Sequence, residues 1–447
     1  MRMLTLVFGA TAFATSTILA SFFAGLALGG FSFGKLIDRG ARPLFVYALL
    51  EAGIGAFAFL MPLLFSGLDD LYVLISQRFG VSFYQLSLFR FALSFAVLLI
   101  PATLMGGTLP VIVKFFADRQ EKIGFRIGQL YAMNTFGAVV GTLSAGFFLI
   151  LWLGVREAAY LAGALNLLIA GAVFILDLRA RRSSEGIKPV EPRRQLVPDA
   201  AVSSRAARMA LWAIGLSGFC ALALEVLWTR ALVFFLDNST HAFTTILTAF
   251  LLGIALGSAL IARFIDTRKR LLYWLGAVEV LIGIFAILAI PILSSSTPVI
   301  QTMARMNPAD PMLPWKWMGM RFVTTLGVML LPTVLIGMTF PIVGKIYTRT
   351  IDTVGTALGR VYAVNTLGGV FGSAVAGFAL VPLLGVQASV IAVSALNTCI
   401  GIALILFDPA TARRARIVTV AGSGGLFLVL GAFFLREGAL DLTSYTE

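Results

Sequence analysis

Three carboxylates lie inside long apolar segments, where a charged side chain is costly. Glu51, Glu225 and Glu279 are each flanked on both sides by predominantly apolar residues. On insertion scales a charge at the centre of a membrane helix costs roughly 3 kcal/mol, so such a group usually faces a cavity or a partner. Two chemistries fit these carboxylates: binding of a cationic solute, or transfer of a coupling proton. The alternative is a structural ion pair with a nearby arginine, such as Arg230 for Glu225.

A second group of polar residues follows a helical spacing. Tyr131 and Asn134 are three residues apart, as are Tyr362 and Asn365, so each pair lies on one face of a helix. Glycines four residues apart continue each face, and small residues at that spacing let helices approach closely. The pairs therefore either pack helices together or line a solute path. The glycines are Gly137, Gly141, Gly368 and Gly372.

The chain contains one long segment twice. Residues 101–155 align without a gap with residues 332–386, at a constant offset of 231. A second alignment, at an offset of 228, pairs Glu51 with Glu279. A duplicated apolar half is typical of transporter folds, which place a site at the interface between the repeats. The paired carboxylates could therefore face each other across a pseudo-two-fold axis.

Composition decides the class of protein. The chain is 59% hydrophobic and 12% charged, whereas soluble domains carry about 25% charged residues. Twelve apolar segments, each long enough to cross a bilayer, predict an all-α polytopic membrane protein with about 12 transmembrane helices. The net charge of +13 is concentrated in short loops between these segments, which is the positive-inside pattern and not a nucleic-acid-binding surface. The two cysteines and the single histidine have no metal-ligand spacing, so we expect no metal site.

Loop charges and the repeat predict the organisation of the chain. Residues 1–178 form an N-terminal half of five spans, and residues 207–407 form a C-terminal half of six. Residues 179–206 are a basic linker that we place in the cytoplasm, and residues 408–447 add one helix and a short tail. The unequal halves suggest that a first helix is missing from this chain, and we expect the span at 416–435 to cover the flank left open. We expect the protein in a bacterial cytoplasmic (inner) membrane.

The loop after the first span carries a charged motif. GKLIDRGAR at 34–42 and its weaker copy ARFIDTRKR at 262–270 resemble the loop signature of the major facilitator superfamily. An aspartate in such a loop can cap a helix start or pair with an arginine, and can thereby hold one conformation. The resemblance implies a major-facilitator-like two-fold repeat of helical halves. The residues expected in this conformational loop are Asp38, Arg39, Arg42, Asp266 and Arg270.

Two repeat-matched spans each contain a pair of prolines with a glycine between them. Proline removes a backbone hydrogen-bond donor and kinks a helix, so these spans are expected to be broken or bent near the middle of the membrane. Such positions serve as hinges in transporters, although simple curvature is an alternative. The hinge candidates are Pro101, Gly106, Pro110, Pro332, Gly337 and Pro341.

A closer resemblance covers nearly the whole chain. The motif E-x-x-W-x-R (Glu225, Trp228, Arg230), two copies of P-x-x-x-x-G-x-T-x-P and two of G-x-x-Y-A-x-N-T-x-G-x-x-x-G are similar to the membrane region of the fused major-facilitator/spermidine-synthase-like family. That family joins a multispan region to an aminopropyltransferase-like domain. Only REGALDLTSYTE follows the last span here, and no Gly-rich nucleotide loop is found. These residues therefore supply no catalytic group or cofactor site, and we expect no enzyme activity from them alone.

The residues and the resemblance leave three hypotheses for function. The first is a transporter or substrate-binding membrane module that works by alternating access and takes polyamines or related cationic amines. The second is a non-transporting membrane anchor or scaffold for a synthase-like soluble domain. A membrane enzyme that acts with a soluble catalytic partner is a third. The expected partners are the lipid bilayer, a small solute and that soluble domain, with no nucleic acid.

Overall fold

The chain folds into long helices, as the apolar periodicity predicts. A computed structural model describes residues 12–79, 83–117, 122–184, 204–236, 240–294, 313–348, 350–408 and 411–437. The basic linker lies mostly outside these residues. In chain order the helices are α1 (Ala12–Asp38), α2 (Pro43–Phe79), α3 (Phe83–Phe116), α4 (Ile123–Ser144), α5 (Val155–Ser184), α6 (Ser204–Leu236), α7 (Thr240–Ile265), α8 (Leu271–Ser294), α9 (Leu313–Tyr347), α10 (Val354–Val375), α11 (Val381–Phe407) and α12 (Arg413–Glu437).

These helices confirm the predicted fold class, an all-α polytopic membrane protein. Ten ranges within the described residues are long and apolar enough to cross a membrane. One of them, Ile351–Phe407, contains α10 and α11, and Gly385 interrupts it with a φ of 74°. Its repeat equivalent Gly154 has a φ of 87°. Only glycine adopts this conformation without strain, so the same residue separates two spans in each repeat.

Two short π-helical turns occupy matching positions in the repeats. Ala145–Leu149 follows α4, and Ala376–Leu380 follows α10; the offset between them is the same 231. A π turn inserts one extra residue into a helix and is frequent at functional sites. The sequence gives no periodicity signal for these turns, because a single inserted residue barely changes the apolar pattern.

The hinge candidates lie in two continuous helices. α3 contains Pro101 and Pro110, and α9 contains Pro332 and Pro341, and each helix is unbroken through both prolines. The expected break near the middle of the membrane is therefore absent, and a hinge role for these residues stays a prediction. The π turns lie instead in the spans that follow α3 and α9 in the chain.

The described helices form two compact units. The first contains Met1–Gln120, Phe148–Pro198 and Thr348–Val370. The second contains Glu121–Phe147, Asp199–Tyr347 and Phe371–Glu447. All of α4 therefore belongs to the second unit, and most of α10 belongs to the first, so each sequence half contributes a helix to the unit built mainly by the other. The boundaries that the repeat predicts between the two halves describe the duplication of the sequence. As boundaries of structural domains they stay a prediction.

Glycine contacts set the packing of the first unit. A Cβ added to Gly29 of α1 would lie 1.9 Å from the Thr103 carbonyl oxygen of α3, and one on Gly106 would lie 2.3 Å from the Leu26 carbonyl oxygen. Gly106 therefore permits a close helix crossing. A buried cluster that includes Ile37 of α1 lies near the loop motif.

The second unit repeats this crossing and adds α12. A Cβ on Gly337 of α9 would lie 2.3 Å from the Ile254 carbonyl oxygen of α7, which matches the crossing at Gly106. α12 packs on α11 and α8; Gln387 of α11, for example, donates a hydrogen bond of 2.6 Å to the Phe434 carbonyl oxygen. Both contact helices belong to the C-terminal half, and the expectation that this helix covers the flank of the N-terminal half stays a prediction.

Candidate functional site

Asp38, at the end of α1, binds the start of α10. Its Oδ1 accepts a hydrogen bond of 3.2 Å from the Gly355 amide, and its Oδ2 accepts one of 2.6 Å from the Thr356 amide. Lys114 Nζ lies 2.9 Å from Oδ1. The same ammonium donates to two carbonyl oxygens of the 3₁₀ turn Ile351–Thr353, at 2.9 and 2.7 Å. We call these residues the Asp38 cluster; all of them belong to the first unit.

Asp266, just after α7, binds the start of α4 in the same way. Its Oδ1 accepts a hydrogen bond of 3.1 Å from the Gly124 amide, and its Oδ2 accepts one of 2.8 Å from the Phe125 amide. Lys345 Nζ lies 3.1 Å from Oδ1 and donates to the Ile265 carbonyl oxygen at 3.0 Å. We call these residues the Asp266 cluster; all of them belong to the second unit.

The two clusters share one electrostatic principle. The unpaired amides at a helix N-terminus carry partial positive charge, so a carboxylate there is stabilised by hydrogen bonds and by the helix dipole. A lysine then compensates the remaining negative charge. Asp38 comes from the N-terminal half of the sequence and caps a helix of the C-terminal half, and Asp266 does the reverse. Both aspartates thus cap a helix start, which is one of the two roles that the loop motif allows, and the conformational role of the loop stays a prediction.

The cation partners differ from those expected. The aspartates pair with Lys114 of α3 and Lys345 of α9. These lysines occupy equivalent positions in the sequence repeat, and this equivalence could have identified them. The arginines of the loop motif lie elsewhere: Arg39 and Arg270 have exposed side chains, and Arg42 forms an ion pair of 3.6 Å with Asp177 of α5.

Glu279 of α8 is the most buried of the three membrane carboxylates. Its side chain has 0% exposure, and neither carboxylate oxygen accepts a hydrogen bond of good geometry. Ser217 and Cys220 of α6 are close enough to interact with it electrostatically. Its repeat equivalent Glu51 is buried at 7% exposure, within reach of the Tyr47 hydroxyl one turn earlier. The two matched carboxylates therefore have different partners.

Glu225 has a different environment. It lies on α6 and is half-buried, whereas Arg230 on the same helix is exposed. Among the ion pairs between described residues, none joins these two side chains. The structure therefore does not contain the arginine pair that was the alternative to a solute or proton role. Glu225 and Glu279 both belong to the second unit, and Glu51 belongs to the first.

The tyrosine and asparagine pairs also have unequal environments. Tyr131 stacks on Phe340 of α9, with ring centroids 4.4 Å apart and planes at 25°. A Cβ on Gly30 would lie 2.8 Å from the Tyr362 ring, so both tyrosines pack against helices. Asn134 is exposed and Asn365 is half-buried.

The glycines that follow these tyrosine and asparagine pairs also differ in how closely a neighbouring helix packs against them. A Cβ on Gly372 would lie 2.0 Å from the Phe219 carbonyl oxygen, whereas one on Gly137 or Gly141 would have no neighbour within 4 Å. Close helix packing therefore explains Gly372 but not Gly137 or Gly141. Within the part of the chain that the structure describes, no group of three or more His, Cys, Asp or Glu side chains could hold a metal ion.

Long apolar helices in a duplicated sequence, with repeat-matched charged clusters at their ends, are the architecture of a polytopic membrane transporter. The model of the Major Facilitator Superfamily matches residues 2–304, which is more than half of the sequence. The chain belongs to the Major Facilitator Superfamily.

Solved structures agree with this fold. A bacterial homologue of the iron transporter ferroportin, in an outward-facing state with soaked iron, has 14% identity and a TM-score of 0.52, over 91% of this chain and 93% of that chain. The fucose:proton symporter of E. coli has 14% identity and a TM-score of 0.50, over 92% and 94%. At this identity the likeness concerns the fold alone. The search of curated proteins gives no match.

Proposed function

We propose that the protein carries a small cationic solute across the membrane by alternating access between two conformations. The observation that carries the cationic specificity is Glu225, a half-buried membrane carboxylate without an ion pair among the described residues. An ammonium or amidinium group is the natural partner of such a carboxylate, because a charge-assisted hydrogen bond offsets the cost of burying both charges. Polyamines and related amines are the solutes that the family resemblance favours.

The Asp38 and Asp266 clusters support the alternating-access part of the proposal. Each joins a helix of one sequence half to loop and span residues of the other, through two amide donors and a lysine. A transporter that opens by moving one repeat against the other must break such contacts in one state and form them in another. We propose that these clusters lie at the cytoplasmic ends of the helices, following the positive-inside pattern, and that the protein lies in a bacterial inner membrane.

Glu279 suits a proton site better than a solute site in this conformation. Its carboxyl group has 0% exposure, so a solute cannot reach it without a change in the surrounding helices. A proton needs far less space, and protonation removes the cost of an unpaired buried charge. Glu51 and the pairs Tyr131/Asn134 and Tyr362/Asn365 remain candidates for the solute path.

The test is uptake into proteoliposomes with a panel of amines, with thermal unfolding in detergent as the binding measurement. Glu225→Gln should abolish saturable binding and uptake of the active amine while the protein stays folded. Glu279→Gln should retain binding and lose the dependence of uptake on a proton gradient. Glu157→Gln changes an exposed carboxylate in the first turn of α5 and should leave both unchanged.

The second candidate function is a membrane anchor for a synthase-like soluble domain. The motif of Glu225, Trp228 and Arg230 favours it, because it resembles a family that contains such a domain. An anchor predicts no stabilisation by any amine and no uptake, with all three variants equal to the unchanged protein. That outcome would reject the transport proposal.

A further inference from the structure

Two arginines share one carboxylate oxygen in the first unit. Arg42, at the turn before α2, lies 3.6 Å from Asp177 Oδ2, and Arg181 on α5 lies 2.7 Å from the same atom. The Asp177 side chain is 8% exposed, whereas the arginine side chains are 47% and 43% exposed. One carboxylate compensates one of the two guanidinium charges, so a positive charge with free donor positions remains at the surface.

One exposed aromatic ring lies directly beside the Arg42 guanidinium group, and a second exposed ring lies beside the first. Cζ of Arg42 lies 4.8 Å from the centre of the Phe45 ring. The Phe45 ring is in turn 6.4 Å from the Phe174 ring of α5, centroid to centroid. The phenylalanines are 36% and 42% exposed. The surface therefore has a cationic edge at the helix ends and an exposed apolar part formed by α2 and α5.

The second unit shows what happens to the equivalent surface when a helix covers it. Tyr273 and Ile405 occupy the repeat-equivalent positions of the two phenylalanines. α12 packs over them: Tyr273 Oη is 3.4 Å from Thr419 Oγ1, and Ile405 is 0% exposed in a cluster that includes Val420. The position of the second arginine is Ala412 there. The paired arginines and open rings are therefore a property of the first unit and not of the repeat in general.

We propose that this surface, which we call the Arg42–Phe174 surface (Arg42, Arg181, Phe45 and Phe174), binds one anionic phospholipid. The two guanidinium groups bind the phosphate, for which their planar donors are well suited. The phenylalanine rings contact an acyl chain. Basic side chains next to the helix ends attract anionic lipids in this manner, and the exposed side chains of Arg39 and Arg182 add to the positive charge. The proposal depends on the membrane-spanning fold and not on the identity of the transported solute.

The experiment measures lipid binding to the detergent-purified full chain, by native mass spectrometry and thermal unfolding. Phosphatidylglycerol and phosphatidylcholine with identical acyl chains are titrated separately, and inorganic phosphate forms a third arm. We expect phosphatidylglycerol to bind with one site and raise the melting temperature. Phosphatidylcholine and inorganic phosphate should do neither, because the first lacks net charge and the second lacks an acyl chain.

Matched variants separate this site from general charge attraction. Arg42→Gln with Arg181→Gln should lose the bound phosphatidylglycerol. Arg270→Gln with Arg413→Gln removes the same charge from exposed arginines of the second unit and should retain the bound lipid. If the first pair does not fold, Arg42→Gln alone keeps the Asp177–Arg181 ion pair and should weaken binding by about five-fold.

Three outcomes would overturn the proposal. Equal binding of phosphatidylglycerol and phosphatidylcholine would show that no anionic site exists. An equal loss in both double variants would show attraction to net charge instead of a site. A similar stabilisation by inorganic phosphate would show a simple anion site without a lipid chain.

Discussion

At the scale of single residues, two pairs of repeat-equivalent carboxylates differ in how alike their surroundings are. Asp38 and Asp266 are loop aspartates of similar sequence context, and each accepts two amide hydrogen bonds and a lysine. Glu51 and Glu279 are also repeat equivalents, but Tyr47 is within reach of the first, and Leu275 stands at the corresponding position beside the second. Duplication has therefore preserved the clusters at the helix ends more closely than the environment of the membrane carboxylates.

At this scale we predict the effect of Asp38→Asn. The amide side chain keeps one acceptor oxygen but loses the charge that attracts Lys114 and the start of α10. Stability should fall by about 1–3 kcal/mol, as for the loss of charge-assisted hydrogen bonds. The measurement is thermal or denaturant unfolding, with hydrogen exchange of the Gly355 and Thr356 amides.

The matched control for this change is Asp352→Asn. Asp352 is exposed and contributes its main-chain carbonyl to Lys114, which the substitution leaves in place. The control should exchange and unfold like the unchanged protein. If both variants behave alike, the Asp38 carboxylate does not stabilise the helix start.

At the scale of elements, matched helices have different packing. α4 and α10 are aligned by the repeat, each ends in a π turn, and each begins at an aspartate of the other sequence half. A Cβ on Gly372 of α10 would nevertheless meet the Phe219 carbonyl oxygen, whereas Gly141 of α4 has open space. The same glycine motif therefore serves a close crossing in one helix only.

This difference gives a prediction with a built-in control. Gly372→Ala should destabilise the protein by about 2 kcal/mol or more, because α10 and α6 must separate to admit the methyl group. Gly141→Ala should be neutral or stabilising by up to about 1 kcal/mol, since alanine favours helix and meets no neighbour. Unfolding of the two variants under identical conditions provides the measurement. Equal effects would contradict the packing difference.

At the scale of the whole molecule, the two clusters are expected to act together. Alternating access is one equilibrium between two states, so any change that disfavours one state shifts all contacts specific to that state. The two clusters share no residue, and each belongs to one unit. A coupled response between them would therefore report a change of global state.

The corresponding prediction concerns hydrogen exchange in one cluster after a change in the other. Asp266→Asn should increase exchange of the Gly355 and Thr356 amides as well as of Gly124 and Phe125. A two-fold or larger increase at Gly355 and Thr356 corresponds to about 0.4 kcal/mol of coupling or more. Exchange that rises only at Gly124 and Phe125 would show that the clusters open independently, and would count against a shared transport conformation.

The amino-acid sequence alone determined the class of protein, its all-helical fold, the duplication and the two loop aspartates. It could do so because hydropathy is local and because repeated motifs are visible without a structure. Only the tertiary structure decided that Lys114 and Lys345 pair with these aspartates, that Glu225 has no pair with Arg230 among the described residues, and that α12 packs on α8 and α11. These features depend on contacts between residues far apart in the chain. Helical periodicity identifies which face of a helix is apolar or polar, but the neighbour of that face is chosen by packing of the whole fold.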